Sequence, residues 1–281
     1  MSKIPKIKND KYYTSPELAK YCTDKTKEII GEQNITQYIE PSAGNAVFLD
    51  YLPEGTLAYD IEPEDIRVEK QNYLTLNLDY LKGRCIIGNP PYGRANNLAV
   101  QFYKKSIQLG DYIAFILPIS QYNNNIKLYE FDTIYSENLG VRDYSDRKVH
   151  CCLNIYKRNI NGKLNSSPNY KLKDVEIREA RKIKNSKRSQ LITKNDFNYD
   201  IRIMGWGGGI GRINQLGCEV QYEGQFAKEF LIKIKNITYK EQVLKLIKNV
   251  HWGDIYLMTA TPNLCQWQIL KYIKEQIPEI E

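Results

Sequence analysis

The chain has 281 residues, 42% of them apolar, and its 40 Lys/Arg against 33 Asp/Glu give a net charge of +7. That length can form one large domain or two smaller ones, and there is no run of about 18 apolar residues that could span a membrane. The cysteines form no CxxC pair, the two histidines lie far apart and the N-terminus lacks an apolar signal region, so we expect a cytoplasmic protein with reduced thiols that binds no metal and no membrane.

The first half of the chain alternates helix and strand patterns. Ser15-Pro16-Glu17 predicts a helix start, because Ser can cap the helix N-terminus, Pro suits the first turn and the negative charge of Glu is stabilised by the helix dipole. Gly31 can end that helix. Further along, strands are predicted over residues 35–39, 57–61, 85–87 and 112–117, with a short helix over 46–52 and a longer one over 96–109. This alternation is typical of an α/β fold with a mostly parallel sheet and helices on both faces.

The charge distribution marks a boundary near residues 158–170. Residues 157–190 carry 11 Lys/Arg and 3 Asp/Glu, and they contain the turn signals Asn161-Gly162 and Ser166-Ser167-Pro168. We therefore predict one domain over 1–158 and a smaller α+β domain over 159–281. In the second domain, a capping box at Thr238–Glu241 and Thr261-Pro262 each predict a helix start.

Two predicted strands end in residues suited to ligand binding. Glu40-Pro41-Ser42-Ala43-Gly44-Asn45 follows the first strand, and its small residues would let a ligand approach the backbone. Asp60 ends the next strand, where a carboxylate suits a ribose diol. The pattern fits several nucleotide-like ligands, and a tight turn with a surface acid is the alternative. The chain has neither GxGxxG nor GxxxxGK[ST], which disfavours NAD and nucleoside triphosphates.

A sharper signal, Asn89-Pro90-Pro91-Tyr92, follows the 85–87 strand. The exocyclic amine of adenine is a poor nucleophile, because its lone pair is delocalised into the ring. The Asn89 side-chain oxygen and the Pro90 carbonyl are two acceptors that can localise that lone pair, and the prolines fix the backbone. Tyr92 could offer a flat face to the base. A proline turn is the alternative interpretation.

The order of these motifs resembles that of the gamma-class N6-adenine DNA methyltransferases, such as the TaqI-type modification enzymes. The resemblance covers roughly residues 12–156 and implies a Rossmann-like domain that binds S-adenosylmethionine, followed by a target recognition domain. The motifs are Tyr12-Tyr13-Thr14-Ser15-Pro16, Glu40 to Gly44, Asp60-Ile61-Glu62-Pro63, Asn72-Tyr73-Leu74 and Asn89 to Tyr92.

The resemblance also implies a role for each matching residue. Thr14 and the Ser42–Gly44 backbone would hold the methionine part of the cofactor, and Asp60 would hold its ribose. Asn72, where the family usually has Asp, and Tyr73 would frame its adenine. Asn89, Pro90 and Tyr92 would be catalytic. The full set of expected cofactor residues is Tyr13, Thr14, Glu40, Ser42, Gly44, Asp60, Ile61, Asn72, Tyr73, Asn89 and Phe102.

The expected partner is double-stranded DNA, bound by a monomer in a restriction-modification setting. Base flipping would place the target adenine between Tyr92 and Tyr144. The alternative for Tyr144 is a surface residue of a hairpin. Nearby His150 could contact the base, but a structural role is the favoured interpretation. The glycine-rich stretch around Trp206 is either a base-reading loop or a tight fold around a core tryptophan. The basic segment could be a solvated linker; otherwise its DNA-phosphate ligands are Arg178, Arg181, Lys182, Lys184, Lys187 and Arg188.

Two other substrates remain open. Protein glutamine N-methyltransferases also carry the Asn-Pro-Pro-Tyr motif, since a glutamine amide poses the same problem of a delocalised nitrogen. The N-terminal Tyr-Thr-Ser-Pro element and the basic C-terminal part favour DNA over protein. An RNA adenine-N6 methyltransferase is a third reading that the motifs do not separate from the first.

Overall fold

The computed structural model describes residues 13–144, 147–181, 197–207, 210–214, 228–256 and 263–281. The chain divides into two compact units, Met1–Pro168 and Asn169–Glu281. Among the described residues, no helix is long and apolar enough to cross a membrane, and no three His, Cys, Asp or Glu side chains cluster as a metal site requires.

The first unit is built on one seven-stranded sheet. Its strands are β1 (Gln37–Glu40), β2 (Leu57–Asp60), β3 (Glu69–Lys70), β4 (Arg84–Gly88), β5 (Tyr112–Pro118), β6 (Asp132–Tyr144) and β7 (Arg147–Lys157). They lie in the order β3-β2-β1-β4-β5-β7-β6, and β7 runs antiparallel to both of its neighbours. The prediction of a mostly parallel, Rossmann-like sheet is thus confirmed, and the strand order reverses between β1 and β4.

Two helices cover the two faces of this sheet. Helix α1 (Pro16–Ile30) begins as predicted, with the Ser15 hydroxyl accepting from the Leu18 amide at 3.3 Å, and Gly31 follows its end. Its buried side chains share a core with Ile155 of β7. Helix α2 (Asn97–Leu109) lies on the other face, because the Tyr103 ring packs 5.1 Å from Tyr156, the neighbour of Ile155 in the strand.

Residues 46–52 form successive turns, so the predicted short helix is wrong. Amide hydrogen bonds in this segment reach back three residues, from Ala46 to Ala43 at 2.7 Å and from Leu49 to Ala46 at 2.9 Å. Ala46 has φ 63°, which a right-handed helix does not allow. Phe48 is nevertheless buried in the core, so its apolar character reflects packing.

The second unit has a four-stranded antiparallel sheet in the order β10-β9-β11-β8. Its strands are β8 (Val175–Arg181), β9 (Ile201–Met204), β10 (Ile213–Asn214) and β11 (Lys228–Ile234), and its helices are α3 (Ile237–Asn249), α4 (Trp252–Ile255) and α5 (Gln266–Gln276). Phe230 and Ile232 of β11 share a core with Val243 of α3 and Ile273 of α5.

Two helix starts in the second unit differ from the prediction. Helix α3 is capped by Asn236, whose side chain accepts from the Thr238 amide at 3.1 Å, so the Thr238–Glu241 capping box is not formed. Helix α5 begins at Gln266, with Cys265 as its cap, and the predicted start at Thr261-Pro262 falls outside the described residues.

One glycine of the glycine-rich stretch, Gly211, packs on a core tryptophan, but that tryptophan is Trp252 and not Trp206. Trp206 is 44% exposed, whereas Trp252 is 2% exposed and packs against Gly211. A Cβ at Gly211 would lie 2.3 Å from the Trp252 ring, so only glycine allows this approach. Trp206 is left on the surface beside Gly207.

Candidate active site

A cavity of about 290 Å³ opens where β1, β2 and β4 end. This is the edge of the sheet at which the strand order reverses, the usual ligand position in open α/β folds. The eleven residues that the resemblance assigns to a cofactor all line it: Tyr13, Thr14, Glu40, Ser42, Gly44, Asp60, Ile61, Asn72, Tyr73, Asn89 and Phe102. The structure therefore brings together residues that lie between positions 13 and 102 of the sequence.

Asp60 ties the loop after β1 to the end of β2. Its carboxylate accepts from the Gly44 amide at 2.9 Å and, through the other oxygen, from the Glu62 amide at 2.8 Å. Gly44 has φ 49°, a conformation that favours glycine. Each carboxylate oxygen accepts one backbone donor and keeps a further lone pair, so Asp60 can still receive two ligand hydroxyls.

Glu40 is a buried acidic residue in the wall of the cavity. It is 2% exposed, and burial, reinforced by the negative charge of Asp60, raises its pKa well above the usual value. Its Oε2 atom has no hydrogen-bond partner within the described part of the chain. Because an unsatisfied buried acceptor costs about 1–3 kcal/mol, this atom is suited to a donor supplied by a ligand.

Two aromatic rings form the apolar wall of the cavity. The Tyr73 ring stacks on Phe102 with centroids 5.4 Å apart, and the Tyr73 hydroxyl lies 2.8 Å from the Ser106 hydroxyl. Beside them, the Asn72 side-chain oxygen accepts from the Leu74 amide at 3.0 Å and so caps a short 3₁₀ turn. Asn72 thus spends one lone pair of its oxygen on the backbone, and its NH₂ group is the side that can donate to a ligand.

Asn89 directly follows β4, and its side chain is held at both ends. Its Nδ2 donates to the Thr14 hydroxyl at 3.2 Å, and its Oδ1 accepts from the Tyr92 hydroxyl at 3.0 Å. Its backbone carbonyl accepts from the Ser42 hydroxyl at 3.3 Å. The amide that the sequence singles out as catalytic is therefore oriented by the N-terminal segment, by the β1 loop and by its own motif.

Tyr92 is largely buried, and its expected flat face toward the base stays a prediction. Its side chain is 5% exposed and is not part of the cavity lining, and its hydroxyl also lies 3.6 Å from the Cys151 sulfur. A buried tyrosine hydroxyl needs a polar partner, and the Asn89 amide supplies one. Pro90 is likewise buried, whereas Pro91 lines the cavity.

The residues expected to hold a target base or DNA are only partly described. Tyr144 pairs with Arg147 at the end of β6, but its side chain lies outside the described part. The His150 ring is 2.7 Å from the Asn138 side-chain oxygen on the neighbouring strand. Arg178 bonds to Glu176 at 3.0 Å and packs 4.1 Å over the Phe197 ring. Arg181 is described only in its backbone, and the four other basic residues, Lys182, Lys184, Lys187 and Arg188, lie outside the described ranges.

The cavity also contains residues that the sequence analysis missed. Leu98 lies one helical turn before Phe102 on the same face of α2, so helical spacing from Phe102 could have found it. Gln71 lines the cavity beside Asn72, and its amide donates to the Asp60 carbonyl at 2.9 Å. That contact links Gln71 to the last residue of β2, and no sequence motif marks it.

No protein-family model matches the chain, and no curated protein matches it. Among solved structures, it is similar to a Pyrococcus horikoshii protein assigned as an RNA methyltransferase, with 13% identity, a TM-score of 0.44 and coverage of 55% of this chain and 90% of that one. It is also similar to a Listeria monocytogenes protein assigned as a class I S-adenosylmethionine-dependent methyltransferase, with 11% identity, a TM-score of 0.43 and coverage of 55% and 62%. A third similar structure is an S-adenosylmethionine-dependent methyltransferase of Aquifex aeolicus, with 12% identity, a TM-score of 0.29 and coverage of 52% and 98%.

Proposed function

We propose that the protein is an S-adenosylmethionine-dependent methyltransferase that methylates the N6 amine of adenine in DNA. One observation carries the proposal: Asn89-Pro90-Pro91-Tyr92 follows β4 directly, and the Asn89 amide lies in the wall of the cavity that also contains Glu40 and Asp60. An acceptor aimed at an amine and a site suited to a nucleoside are thus parts of one cavity.

The donor set of the cavity fits the three parts of S-adenosylmethionine. The Glu40 oxygen, which has no partner among the described residues, suits the cationic amine of the methionine part. Asp60 retains lone pairs for the ribose hydroxyls, and the stacked pair of Tyr73 and Phe102 suits the adenine ring. Thr14, Ser42 and the Gly44 backbone would complete the methionine subsite. When bound, the cofactor supplies an electrophilic methyl group on a sulfonium.

The residues around Asn89 would prepare the attacking nitrogen. The Asn89 oxygen and the Pro90 carbonyl would each accept one amine hydrogen and so localise the nitrogen lone pair. Glu40, Asp60 and the Tyr73–Phe102 pair would hold the cofactor, whose methyl group would pass to the nitrogen and leave a neutral thioether. The nitrogen becomes cationic and releases a proton to water, so no strong base is required, and positioning supplies much of the rate.

The second unit, expected to serve target recognition, fits a polyanionic partner. Residues 169–281 contain 19 Lys/Arg and 13 Asp/Glu, whereas residues 1–168 contain 21 and 20, so most of the net charge lies in the second unit. Trp206 adds an exposed aromatic ring, and such rings stack on nucleic-acid bases. We therefore place DNA binding in this unit and assign Trp206 to base contact, with Tyr144 as a stacking partner of the flipped adenine.

The test is transfer of a labelled methyl group from S-adenosylmethionine to separate pools of DNA, RNA and protein, followed by nucleoside and amino-acid analysis. We expect label in N6-methyladenine from the DNA pool, with none in an Asn89→Ala variant that still binds S-adenosylhomocysteine. Label in RNA adenine or in protein glutamine would replace DNA as the substrate but keep the chemistry. Transfer at the wild-type rate by Asn89→Ala would contradict the mechanism.

A further inference from the structure

Asn72 lines the cavity, and the turn that follows it holds both its side chain and its backbone. Its Oδ1 atom accepts from the Leu74 amide at 3.0 Å, and its backbone carbonyl accepts from the amide and the hydroxyl of Thr75, each at 3.1 Å. A backbone amide can only donate, so the side-chain atom that faces Leu74 must be the oxygen. The other end of the Asn72 amide is therefore its NH₂ group, which is a donor.

This NH₂ group has no hydrogen-bond partner among the residues that the structure describes, and Asn72 is exposed. In the free protein, water can satisfy such a donor. A ligand that fills the cavity displaces this water, and a donor that loses water without gaining an acceptor weakens binding. The ligand that best fits this wall of the cavity therefore brings an acceptor to Asn72.

The base of S-adenosylmethionine has groups of both kinds on its edges. The ring nitrogens of adenine accept hydrogen bonds, whereas the exocyclic amine donates them. An NH₂ group on the protein pairs with a ring nitrogen but opposes the amine, because both groups are donors. The aspartate that the family usually has at this position would present a second acceptor oxygen instead, which suits the amine.

We propose that Asn72 determines how the adenine of the cofactor is recognised, by donating to a ring nitrogen and not by accepting from the exocyclic amine. The proposal rests on the cofactor part of the function proposed above and does not depend on which substrate receives the methyl group. It gives Asn72 a role beyond capping, since asparagine and aspartate are about equally good caps and only asparagine adds a donor.

The test is a double-mutant cycle between position 72 and single atoms of the ligand, measured by calorimetry without turnover. The ligands are S-adenosylhomocysteine, an analogue with hydrogen in place of the amine, and the 1-, 3- and 7-deaza analogues, which each lack one ring nitrogen. Loss of one of these nitrogens should weaken binding to the wild type about 3- to 10-fold more than binding to Asn72→Ala, as expected for one neutral hydrogen bond. Loss of the amine should have the same effect on both proteins.

Asn72→Asp is the sharpest variant, because it keeps the oxygen that caps the turn and replaces the NH₂ group by an acceptor of similar size. Removal of the amine should weaken binding to Asn72→Asp about 10-fold more than binding to Asn72→Ala, since the new hydrogen bond involves a charged group. The dependence on the ring nitrogen should disappear. Each comparison is a ratio of two ligands on one protein, so the general effect of the added charge on affinity cancels.

Asn236→Asp is the matched control. Asn236 caps α3 with the same kind of contact, in which its side-chain oxygen accepts from the Thr238 amide at 3.1 Å, and it does not line the cavity. All ratios between ligands should keep their wild-type values in this variant.

Two results would overturn the proposal alone. If loss of the amine weakens binding to the wild type more than binding to Asn72→Ala, the Asn72 oxygen accepts from the amine. If every ratio is the same in the wild type and in Asn72→Ala, Asn72 only caps the turn. Absence of any binding of S-adenosylhomocysteine to the wild type would instead overturn the proposed function together with this proposal.

Discussion

At the scale of single residues, Asp60 combines a structural contact with a proposed ligand contact. Its two oxygens bind the amides of Gly44 and Glu62, so its removal affects both the loop and the site. We expect Asp60→Ala to weaken S-adenosylhomocysteine binding about 10- to 100-fold, which corresponds to a charge-assisted hydrogen bond of about 1.5–3 kcal/mol.

Calorimetry with S-adenosylhomocysteine measures this effect, and Asp60→Asn is its control. Asparagine keeps one oxygen for a backbone amide but lacks the second acceptor and the charge. It should therefore restore the melting temperature more than it restores affinity. Equal affinity in the wild type and in Asp60→Ala would remove Asp60 from the binding site.

Glu40 predicts a pH dependence of folding stability. Burial and the charge of Asp60 raise its folded pKa well above 4.5, so between the unfolded and folded pKa values the folded protein holds a proton that the unfolded chain has released. The stabilisation from that proton is complete below the unfolded pKa and is lost as pH rises through the folded pKa. Glu40→Gln should remove this loss, so its stability relative to wild type should increase from pH 5 to pH 8.

Urea unfolding of both proteins at several pH values measures the difference. The cofactor gives an independent check, because an ammonium group favours the ionised carboxylate. Binding of S-adenosylhomocysteine should release a proton from the wild type, measurable by calorimetry in buffers of different ionisation enthalpy, and not from Glu40→Gln. A stability difference that does not change with pH would mean that Glu40 titrates normally.

At the scale of elements, local patterns predict the strands better than the turns between them. The apolar runs that become β1, β2, β4 and β5 are visible in the sequence, and so is the capped start of α1. The turns over 46–52 are not, because Ala46 adopts φ 63° only where the packed loop requires it. The buried position of Tyr92 depends in the same way on Cys151, which is distant in sequence.

The glycines around Trp206 provide a test of packing in the second unit. Gly211 and Gly207 have φ values of 76° and 75°, but a Cβ at Gly211 would lie 2.3 Å from the Trp252 ring, whereas one at Gly207 would meet nothing within 4 Å. Gly207→Ala should therefore cost about 1 kcal/mol of backbone strain, and Gly211→Ala should cost about 1–3 kcal/mol more from overpacking.

Urea unfolding of the full chain, followed by tryptophan fluorescence, compares the two variants. The emission of buried Trp252 should shift in folded Gly211→Ala and remain unchanged in folded Gly207→Ala. Equal destabilisation of both variants would show that the backbone conformation alone sets the need for glycine and that Trp252 tolerates a methyl group.

At the scale of the whole molecule, the two units differ in net charge. The first unit is nearly neutral, and the excess of basic residues lies in the second. Some of that charge is already neutralised internally: Arg202 pairs with Glu229 at 2.5 Å, and Arg178 pairs with Glu176. A count of basic residues therefore overstates the charge available to a polyanion, which is why sequence alone could not separate a DNA-binding surface from a solvated linker.

The salt dependence of DNA binding decides between those two possibilities. A variant with six basic residues neutralised should bind all duplexes more weakly, by about the same factor: Arg178, Arg181, Lys182, Lys184, Lys187 and Arg188. The slope of log affinity against log salt concentration should decrease in magnitude by about 0.9 for each phosphate that is no longer neutralised. Arg178 should contribute less than the others, because Glu176 already holds its guanidinium. The preference between cognate and non-cognate duplexes should survive, since phosphate contacts position the protein while base contacts specify the sequence.

The control neutralises Lys20, Lys25, Lys70 and Lys82 of the first unit, which changes net charge without touching the basic segment. Fluorescence anisotropy at several salt concentrations measures both slopes. The same slope change per charge in both variants would mean that net charge alone attracts DNA, and an unchanged slope in the first variant would make the segment a linker and leave substrate choice to the cavity.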